Sequence, residues 1–119
     1  MVCFMLLNKK QLGQQGESIA AKYYQKCGFK ILARNFYTRY GELDLVLIKN
    51  NKILVVEVKT RRNTKFGYGE ETISDKKLNN IYISYQILRK QKNLSTFFEI
   101  EVCVLYLCYN RYTVKRFII

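Results

Sequence analysis

The chain has 119 residues and a formal net charge of +12, because 21 lysines and arginines stand against nine aspartates and glutamates. This length predicts one domain over residues 1–119 and is sufficient for a hydrophobic core. Since the sequence contains no histidine, it excludes a Ser-His-Asp or Cys-His triad, a histidine general base and any zinc site that needs histidine. Acid–base or metal chemistry must therefore use carboxylates, lysine, tyrosine or cysteine.

The excess of positive charge favours a polyanionic partner, which is nucleic acid or, less often, an anionic membrane surface. The alternative is a chain that is merely rich in basic residues. The four cysteines form no CxxC pair, so we interpret them as small core residues and not as a zinc or redox site. The apolar residues 2–7 are too few for a signal peptide, and later apolar runs are too short to cross a bilayer. We therefore expect a cytoplasmic protein without a membrane partner.

Hydrophobic periodicity predicts two helices and five strands. In the order helix, three strands, helix, two strands, the predicted elements span residues 11–27, 29–32, 41–49, 52–60, 75–92, 97–107 and 112–119. Gly28 is predicted to end the first helix, and Ser74 or Asp75 to cap the second. A helix on each side of a central sheet predicts a compact three-layer α/β domain.

The segments on either side of Asn50-Asn51 alternate polar and apolar residues, which predicts a hairpin with its turn at these asparagines. Paired positions in this hairpin have residue numbers that add up to 101, so Asp44 is predicted directly opposite Glu57. The Cβ atoms of such a pair lie about 5 Å apart. Two carboxylates at that distance do not both ionise comfortably, so either one is protonated or a cation lies between them.

Alternation along the strands also predicts which side chains share a face of the sheet. Glu42 and Lys59 form a second opposed pair, predicted to lie on the same face as Asp44 and Glu57. The other face of the first hairpin strand is predicted to carry its leucines, Leu43, Leu45 and Leu47. Oxygen ligands would select Mg²⁺ or Mn²⁺, and Lys59 would offset charge, hold a water or stabilise a pentavalent phosphate. The alternative, a charged face with a Glu42–Lys59 ion pair, leaves Asp44 opposite Glu57 unexplained.

Asp44, followed after a gap of twelve by Glu57-Val58-Lys59, resembles the D…ExK signature of the PD-(D/E)XK nuclease superfamily. Over about residues 12–105 the chain more closely resembles the YraN-like family of small uncharacterised bacterial proteins, which are similar to archaeal Holliday-junction resolvases. The matching motifs are Gly16-Glu17 with Ala20-Ala21, Arg34-Asn35, Arg39-x-Gly41-Glu42-x-Asp44, Val56-Glu57-Val58-Lys59-Thr60-Arg61, Phe66-Gly67 and Lys77. Their order and spacing agree together, which makes the resemblance specific.

The resemblance implies a restriction-endonuclease-like α/β core over about residues 12–107, in which helices flank a mixed central sheet in the order α-β-β-β-α-β-β. It also implies Mg²⁺- or Mn²⁺-dependent hydrolysis of phosphodiesters. Asp44, Glu57 and the carbonyl of Val58 would ligate the metal, and Lys59 would position or activate the attacking water. Glu17 in the first helix would complete the site, as in the resolvase-like branch; an ordinary solvated glutamate is the alternative reading from composition alone.

Glu42 is a further candidate, either as a ligand or as a partner of Lys59. Basic residues near the carboxylates in sequence are candidates to bind phosphates: Arg39, Arg61, Arg62, Lys65, Lys76 and Lys77. The alternative for each is a solvated basic surface. Three tyrosines in the same region, Tyr37, Tyr40 and Tyr68, are weaker candidates to stack on bases, since most of the ten tyrosines must pack in the core.

We therefore expect an endonuclease that acts on nucleic acid, with DNA, including branched DNA, as the favoured substrate. The alternative is a nucleic-acid-binding protein of the same fold that has little catalytic activity on its own. A junction-cutting enzyme would need two sites and hence a symmetric homodimer. Residues 97–109 would then be either the dimer interface or a buried central strand, and the buried strand is favoured.

Overall fold

The computed structural model describes residues 3–62 and 72–119. A short 3₁₀ turn over Phe4–Leu6 precedes α1 (Lys9–Lys26), β1 (Lys30–Thr38), β2 (Gly41–Lys49), β3 (Lys52–Arg62), α2 (Asp75–Lys92), β4 (Glu99–Cys108) and β5 (Arg111–Ile118). This confirms the predicted order of two helices and five strands. β1 is longer than predicted, because residues 33–38 continue to pair with β2 beyond a bulge between Ile31 and Ala33.

The five strands form one mixed sheet in the order β1-β2-β3-β4-β5. Neighbouring strands are antiparallel except for β3 and β4, which are parallel and are connected through α2. The hairpin register is as predicted: Lys49 pairs with Lys52 and Leu45 with Val56, and both pairs add up to 101. No helix within residues 3–62 and 72–119 is long and apolar enough to cross a membrane.

The two helices cover opposite faces of the sheet, which confirms the three predicted layers. In β3, Leu54 and Val56 belong to the hydrophobic cluster under α1, whereas Ile53 and Val55 belong to the cluster under α2. In β4, residues 101–107 are all buried, so the favoured interpretation of this segment as a buried central strand is confirmed.

α2 has its predicted bounds, whereas α1 begins two residues earlier and ends one residue earlier than predicted. α1 begins with a capping box, in which the Asn8 side chain accepts from the main-chain N–H of Gln11 and the Gln11 side chain accepts from that of Asn8. Beyond its C-terminus, Gly28 has a φ of +95°, a left-handed conformation that glycine adopts without steric cost. The side chain of Ser74 caps α2 by accepting from the N–H of Lys77.

A buried polar network ties α1 to the strands β4 and β5. Tyr24 of α1 is fully buried and donates its hydroxyl hydrogen to Glu101 of β4 at 2.6 Å. Glu101 is only 5% exposed, and it also accepts from Nε of Arg116 and, at 3.0 Å, from Nη2 of the same side chain. Burial first, then the nearby Cys103 and Glu101, raise the pKa of Tyr24 far above its ordinary value, so it stays a protonated donor.

Removing the cation of this network should be costly. We expect Arg116→Met to lower the free energy of unfolding by about 2–4 kcal/mol, because the Glu101 carboxylate stays buried without its ion-pair partner. Urea unfolding measures the loss. Arg111→Met, in the exposed first residue of the same strand, is the control and should change stability by less than about 0.5 kcal/mol. Equal losses in the two variants would contradict the structural role of the pair.

Candidate active site

The strands β2 and β3 stop pairing at Asp44. Within the described residues their ladder runs from Lys49–Lys52 to Leu45–Val56 and goes no further. Beyond that point the main-chain N–H of Val58 donates to Oδ2 of Asp44 at 2.8 Å, so a side chain takes the place of a main-chain partner. The carboxylate of Asp44 is thereby held in the opening between the two strands.

The same stretch of β2 changes which face its side chains point to. Leu43 packs in the cluster under α2, whereas Leu45 and Leu47 pack under α1. The prediction that the three leucines share one face is therefore wrong. At the same level of the neighbouring strand, Asn35 has a left-handed φ of +48°, and the next residue, Phe36, pairs with Leu43 under α2. Simple alternation fails because both strands are irregular at this point.

This irregularity brings Glu42 and Asp44 to Glu17 of α1. One carboxylate oxygen from each of the three residues lies within 4.8 Å of the others, close enough for the three to share one cation. The side-chain NH₂ group of Asn35 donates to Glu17 Oε2 at 2.9 Å and to Glu42 Oε1 at 2.7 Å. We call these four residues, Glu17, Asn35, Glu42 and Asp44, the acidic cluster.

Glu57 lies on the other side of Asp44. Its Oε1 is 3.5 Å from Nζ of Lys77, a residue of α2. The expected placement of Glu42, Asp44, Glu57 and Lys59 on one face is therefore not what the fold produces, since Glu42 is bound on the α1 side and Glu57 on the α2 side. Asp44 stands between the two glutamates and is affected by the charge of both.

Burial and like charge dominate the electrostatics of Asp44. Burial first, then Glu57, raise its pKa to about 8, and Glu17 and Glu42 contribute in the same direction. The N–H of Val58 opposes this shift only in part. The pKa of Glu57 is also raised by burial, with Lys77 acting against the shift. The sequence-based expectation that Asp44 and Glu57 do not both ionise comfortably agrees with the raised pKa of each.

A close approach between α1 and β3 places Glu17 over the sheet. A Cβ atom added to Gly16 would lie 1.9 Å from Oγ1 of Thr60 in β3, so the helix can sit at this distance only without a side chain there. Gly16 is itself buried, and Glu17 follows it directly in the helix. In the motif Gly16-Glu17, the glycine allows the close contact of α1 with β3, and the glutamate supplies the carboxylate.

Lys59 and the main chain of Val58 occupy the edge of the opening. Nζ of Lys59 donates to the main-chain carbonyl of Thr72 at 3.1 Å, and its charge acts to lower the pKa of Glu57. Val58 contributes its N–H to Asp44.

The three arginines predicted to bind phosphates lie in the β1–β2 turn and at the end of β3. Arg39 lies in the turn between β1 and β2 with its guanidinium 5.3 Å from the ring centroid of Tyr40. At the end of β3, Arg61 bonds to the carbonyl of Thr60, and Arg62 bonds to that of Leu7.

Of the two lysines in the first turn of α2, Lys76 is exposed and Lys77 pairs with Glu57. Lys65 and Tyr68 lie outside the described residues.

Two lysines that the sequence reasoning does not single out also lie here. A cleft of about 320 Å³ beside the acidic cluster is lined by Lys9, Lys10, Gly13, Gln14, Glu17, Asn35, Tyr37 and Glu42. The Tyr37 side chain, which is predicted to stack on bases, is 72% exposed. Asn35 enters the sequence reasoning only as part of a motif. Its place inside β1 is not visible in the sequence, because the predicted strand ends at residue 32.

The sequence model of an uncharacterised protein family, UPF0102, matches residues 16–105. The chain belongs to this family. A UPF0102 protein of Syntrophomonas wolfei is 56% identical over 72 residues, which cover 60% of this chain and 63% of that protein. One from Caldicellulosiruptor saccharolyticus is 36% identical over 85% of this chain and 86% of its own length. A third, from Vibrio parahaemolyticus, is 35% identical over 76% of each chain. The predicted YraN-like family is confirmed, and the matched segment contains the whole acidic cluster.

The raised pKa of Asp44 predicts how stability depends on pH. The unfolded chain loses this proton near pH 4 and the folded chain near pH 8, so the folded state loses stability as the pH rises between these values. The slope is at most about 1.4 kcal/mol per pH unit. Since asparagine cannot ionise, the advantage of Asp44→Asn over wild type should grow from pH 5 to pH 8 and then level off. Urea unfolding in EDTA measures it, and a constant difference would contradict the shift.

The contact at Gly16 predicts opposite effects of alanine at two glycines of one helix. Gly16→Ala should lower the free energy of unfolding by about 1–3 kcal/mol, because the new methyl group collides with Thr60. Gly13→Ala should raise it by about 0.5–1 kcal/mol, since nothing lies within 4 Å of the added Cβ and alanine is the better helix former. Thermal and urea unfolding compare the pair. If both substitutions stabilise the protein, the proposed restriction on side chains at Gly16, which is the close contact of α1 with β3, is contradicted.

Proposed function

We propose that this chain is a metal-dependent endonuclease that hydrolyses phosphodiester bonds of nucleic acid. The observation that carries the proposal is the convergence of Glu17, Glu42 and Asp44 within 4.8 Å in a chain whose net charge is +12. Acidic groups beside a basic surface would repel the phosphate backbone that the surface attracts. A divalent cation between the carboxylates and a phosphate removes that conflict.

The donor set fits a hard divalent cation. Carboxylate oxygens suit Mg²⁺ or Mn²⁺, and Glu17, Glu42 and Asp44 would hold the ion, with Glu57 beside Asp44 as a further donor. Burial raises the pKa of Asp44 because it makes the charged carboxylate unfavourable, and a cation bound to the carboxylate oxygens would offset that cost. When bound, the ion supplies charge stabilisation at the phosphate and a nucleophilic water at neutral pH.

The chain's own groups would orient the reactants. The ammonium of Lys59, held by the carbonyl of Thr72 near Glu57, is the group proposed to orient the attacking water. Phosphates on either side of the scissile bond would contact Arg39, Arg61, Arg62, Lys76 and the two lysines of the cleft, Lys9 and Lys10. Tyr37 is exposed enough to stack on a base.

The narrower assignment within this proposal is a restriction-endonuclease-like fold of the PD-(D/E)XK superfamily. It rests on the resemblance of Asp44 and the Glu57-Val58-Lys59 motif to that signature, together with the mixed five-stranded sheet between two helices. Branched DNA is the proposed preferred substrate, and a homodimer would supply the two sites that a junction requires. Both follow from the resemblance to resolvases.

The test compares wild type with Asp44→Asn and Lys59→Met on branched, single-stranded and duplex DNA and on RNA, each with Mg²⁺, Mn²⁺ or EDTA. We expect metal-dependent cutting that falls at least 100-fold in both variants, because each removes a group of the reaction centre. Glu99→Gln, in the exposed first residue of β4, is the control and should cut as wild type does. Binding without cutting in every condition would favour the nucleic-acid-binding alternative.

Two adjacent lysines should separate binding from catalysis. Lys76→Met removes an exposed charge and should weaken DNA binding about three- to tenfold and reduce the salt slope by about 1, with cutting at saturating DNA unchanged. Lys77→Met removes the cation beside Glu57, so the pKa of Glu57 should rise further and the pH–rate profile should shift to higher pH. Filter binding and rate measurements distinguish them. Identical effects of the two substitutions would show that the Lys77–Glu57 pair does not influence the reaction.

A further inference from the structure

Asn35 has a left-handed backbone conformation inside a strand, which is an unusual place for one. Of the five described non-glycine residues with a positive φ, four lie in turns or at the end of a helix, at Asn50, Asn51, Asn93 and Tyr109. Asn35, with a φ of +48°, is the one inside a strand, between the Arg34–Leu45 and Phe36–Leu43 pairs of β1 and β2. A left-handed residue at such a place costs of order 1 kcal/mol and persists only where its surroundings require it.

The amide of Asn35 uses both of its hydrogens on carboxylates. One is donated to Glu17 Oε2 at 2.9 Å and the other to Glu42 Oε1 at 2.7 Å. Since ionised carboxylates only accept hydrogen bonds, the NH₂ group, and not the amide oxygen, must face them. The two glutamates come from α1 and β2, so one side chain ties a helix to the sheet at the acidic cluster.

The choice of a neutral donor has a chemical consequence. A lysine or arginine at this place would also bind both carboxylates, but it would cancel their charge. Asparagine holds each glutamate by one oxygen and adds no positive charge that would compete with a cation. Groups that fix metal ligands in this way typically change metal affinity by 10- to 100-fold when they are removed.

We propose that Asn35 is a positioning residue that orients Glu17 and Glu42 so that they and Asp44 converge on one divalent cation. This rests on the proposed function. The left-handed backbone is what directs the amide of Asn35 between the two glutamates.

The test uses two matched glycine substitutions. Asn35→Gly removes the amide and keeps a backbone that accepts a positive φ; Asn50→Gly makes the same change in the β2–β3 turn, where φ is +51°. Without metal, we expect the two variants to unfold within a few degrees of each other. In calorimetric titrations, Asn35→Gly should bind Mn²⁺ and Mg²⁺ 10- to 100-fold more weakly than wild type, and Asn50→Gly should bind them as wild type does.

The outcomes separate this inference from the proposed function. If wild type binds neither cation, the proposed function fails and the role of Asn35 fails with it. If wild type binds Mn²⁺ and Asn35→Gly binds it within twofold of wild type, the role of Asn35 is overturned while the proposed function stands. Wild-type NMR serves if Asn35→Gly does not fold: Mg²⁺ should shift the side-chain NH₂ resonances of Asn35 and leave those of Asn79, exposed on α2, unchanged. Unshifted Asn35 resonances at saturating Mg²⁺ would overturn the proposal.

Discussion

The hydrogen bond from the N–H of Val58 to the Asp44 carboxylate is the contact on which the arrangement of the site depends. It forms where β2 parts from β3, and it holds a partly buried carboxylate in the resulting opening. The same place is electrostatically unfavourable, because Glu57 lies on one side of Asp44 and Glu17 and Glu42 on the other. A single donated hydrogen bond does not offset that burial and repulsion, so the pKa of Asp44 stays raised.

The rest of the fold keeps the Asp44 carboxylate in this electrostatically unfavourable place. The two apolar clusters on either face of the sheet are packed around β2, β3 and β4, which leaves the ends of the strands free to carry polar groups. Gly16 lets α1 approach β3 closely enough for Glu17 to reach the opening. Near the C-terminal end of the helix, the bond from buried Tyr24 to Glu101 fixes α1 against β4. The helix is thus held at its middle and near its C-terminal end.

The acidic cluster and the basic surface make chemical sense together. Phosphate binding alone is served by lysine and arginine, and carboxylates next to them weaken it. Partly buried carboxylates with raised pKa values are typical of sites where charge is used, although ion-pair networks also produce them. In the proposed nuclease, the cation that the carboxylates bind would also neutralise negative charge on the phosphate. The two lysines of the cleft beside Glu17 extend the basic surface up to the cluster itself.

Local patterns in the sequence determined the order of the elements, the approximate bounds of all but β1, and the register of the β2–β3 hairpin. These follow from periods of 3.6 and 2 residues and from the turn at Asn50-Asn51, all of which act over a few neighbours. The absence of histidine is a property of composition alone, and it restricts acid–base chemistry mainly to carboxylates and lysine however the chain folds. Similarity to its relatives determined the family.

Only the tertiary structure decided which carboxylates meet. Alternation predicted that Glu42 and Glu57 share a face, but the left-handed Asn35 and the parting of β2 from β3 turn Glu42 towards α1, while Glu57 pairs with Lys77 of α2. The period of a strand describes regular backbone and carries no information about where that regularity breaks. The break is stabilised by contacts between residues far apart in the chain, such as Asn35 with Glu17, and those contacts exist only after the helices have packed on the sheet.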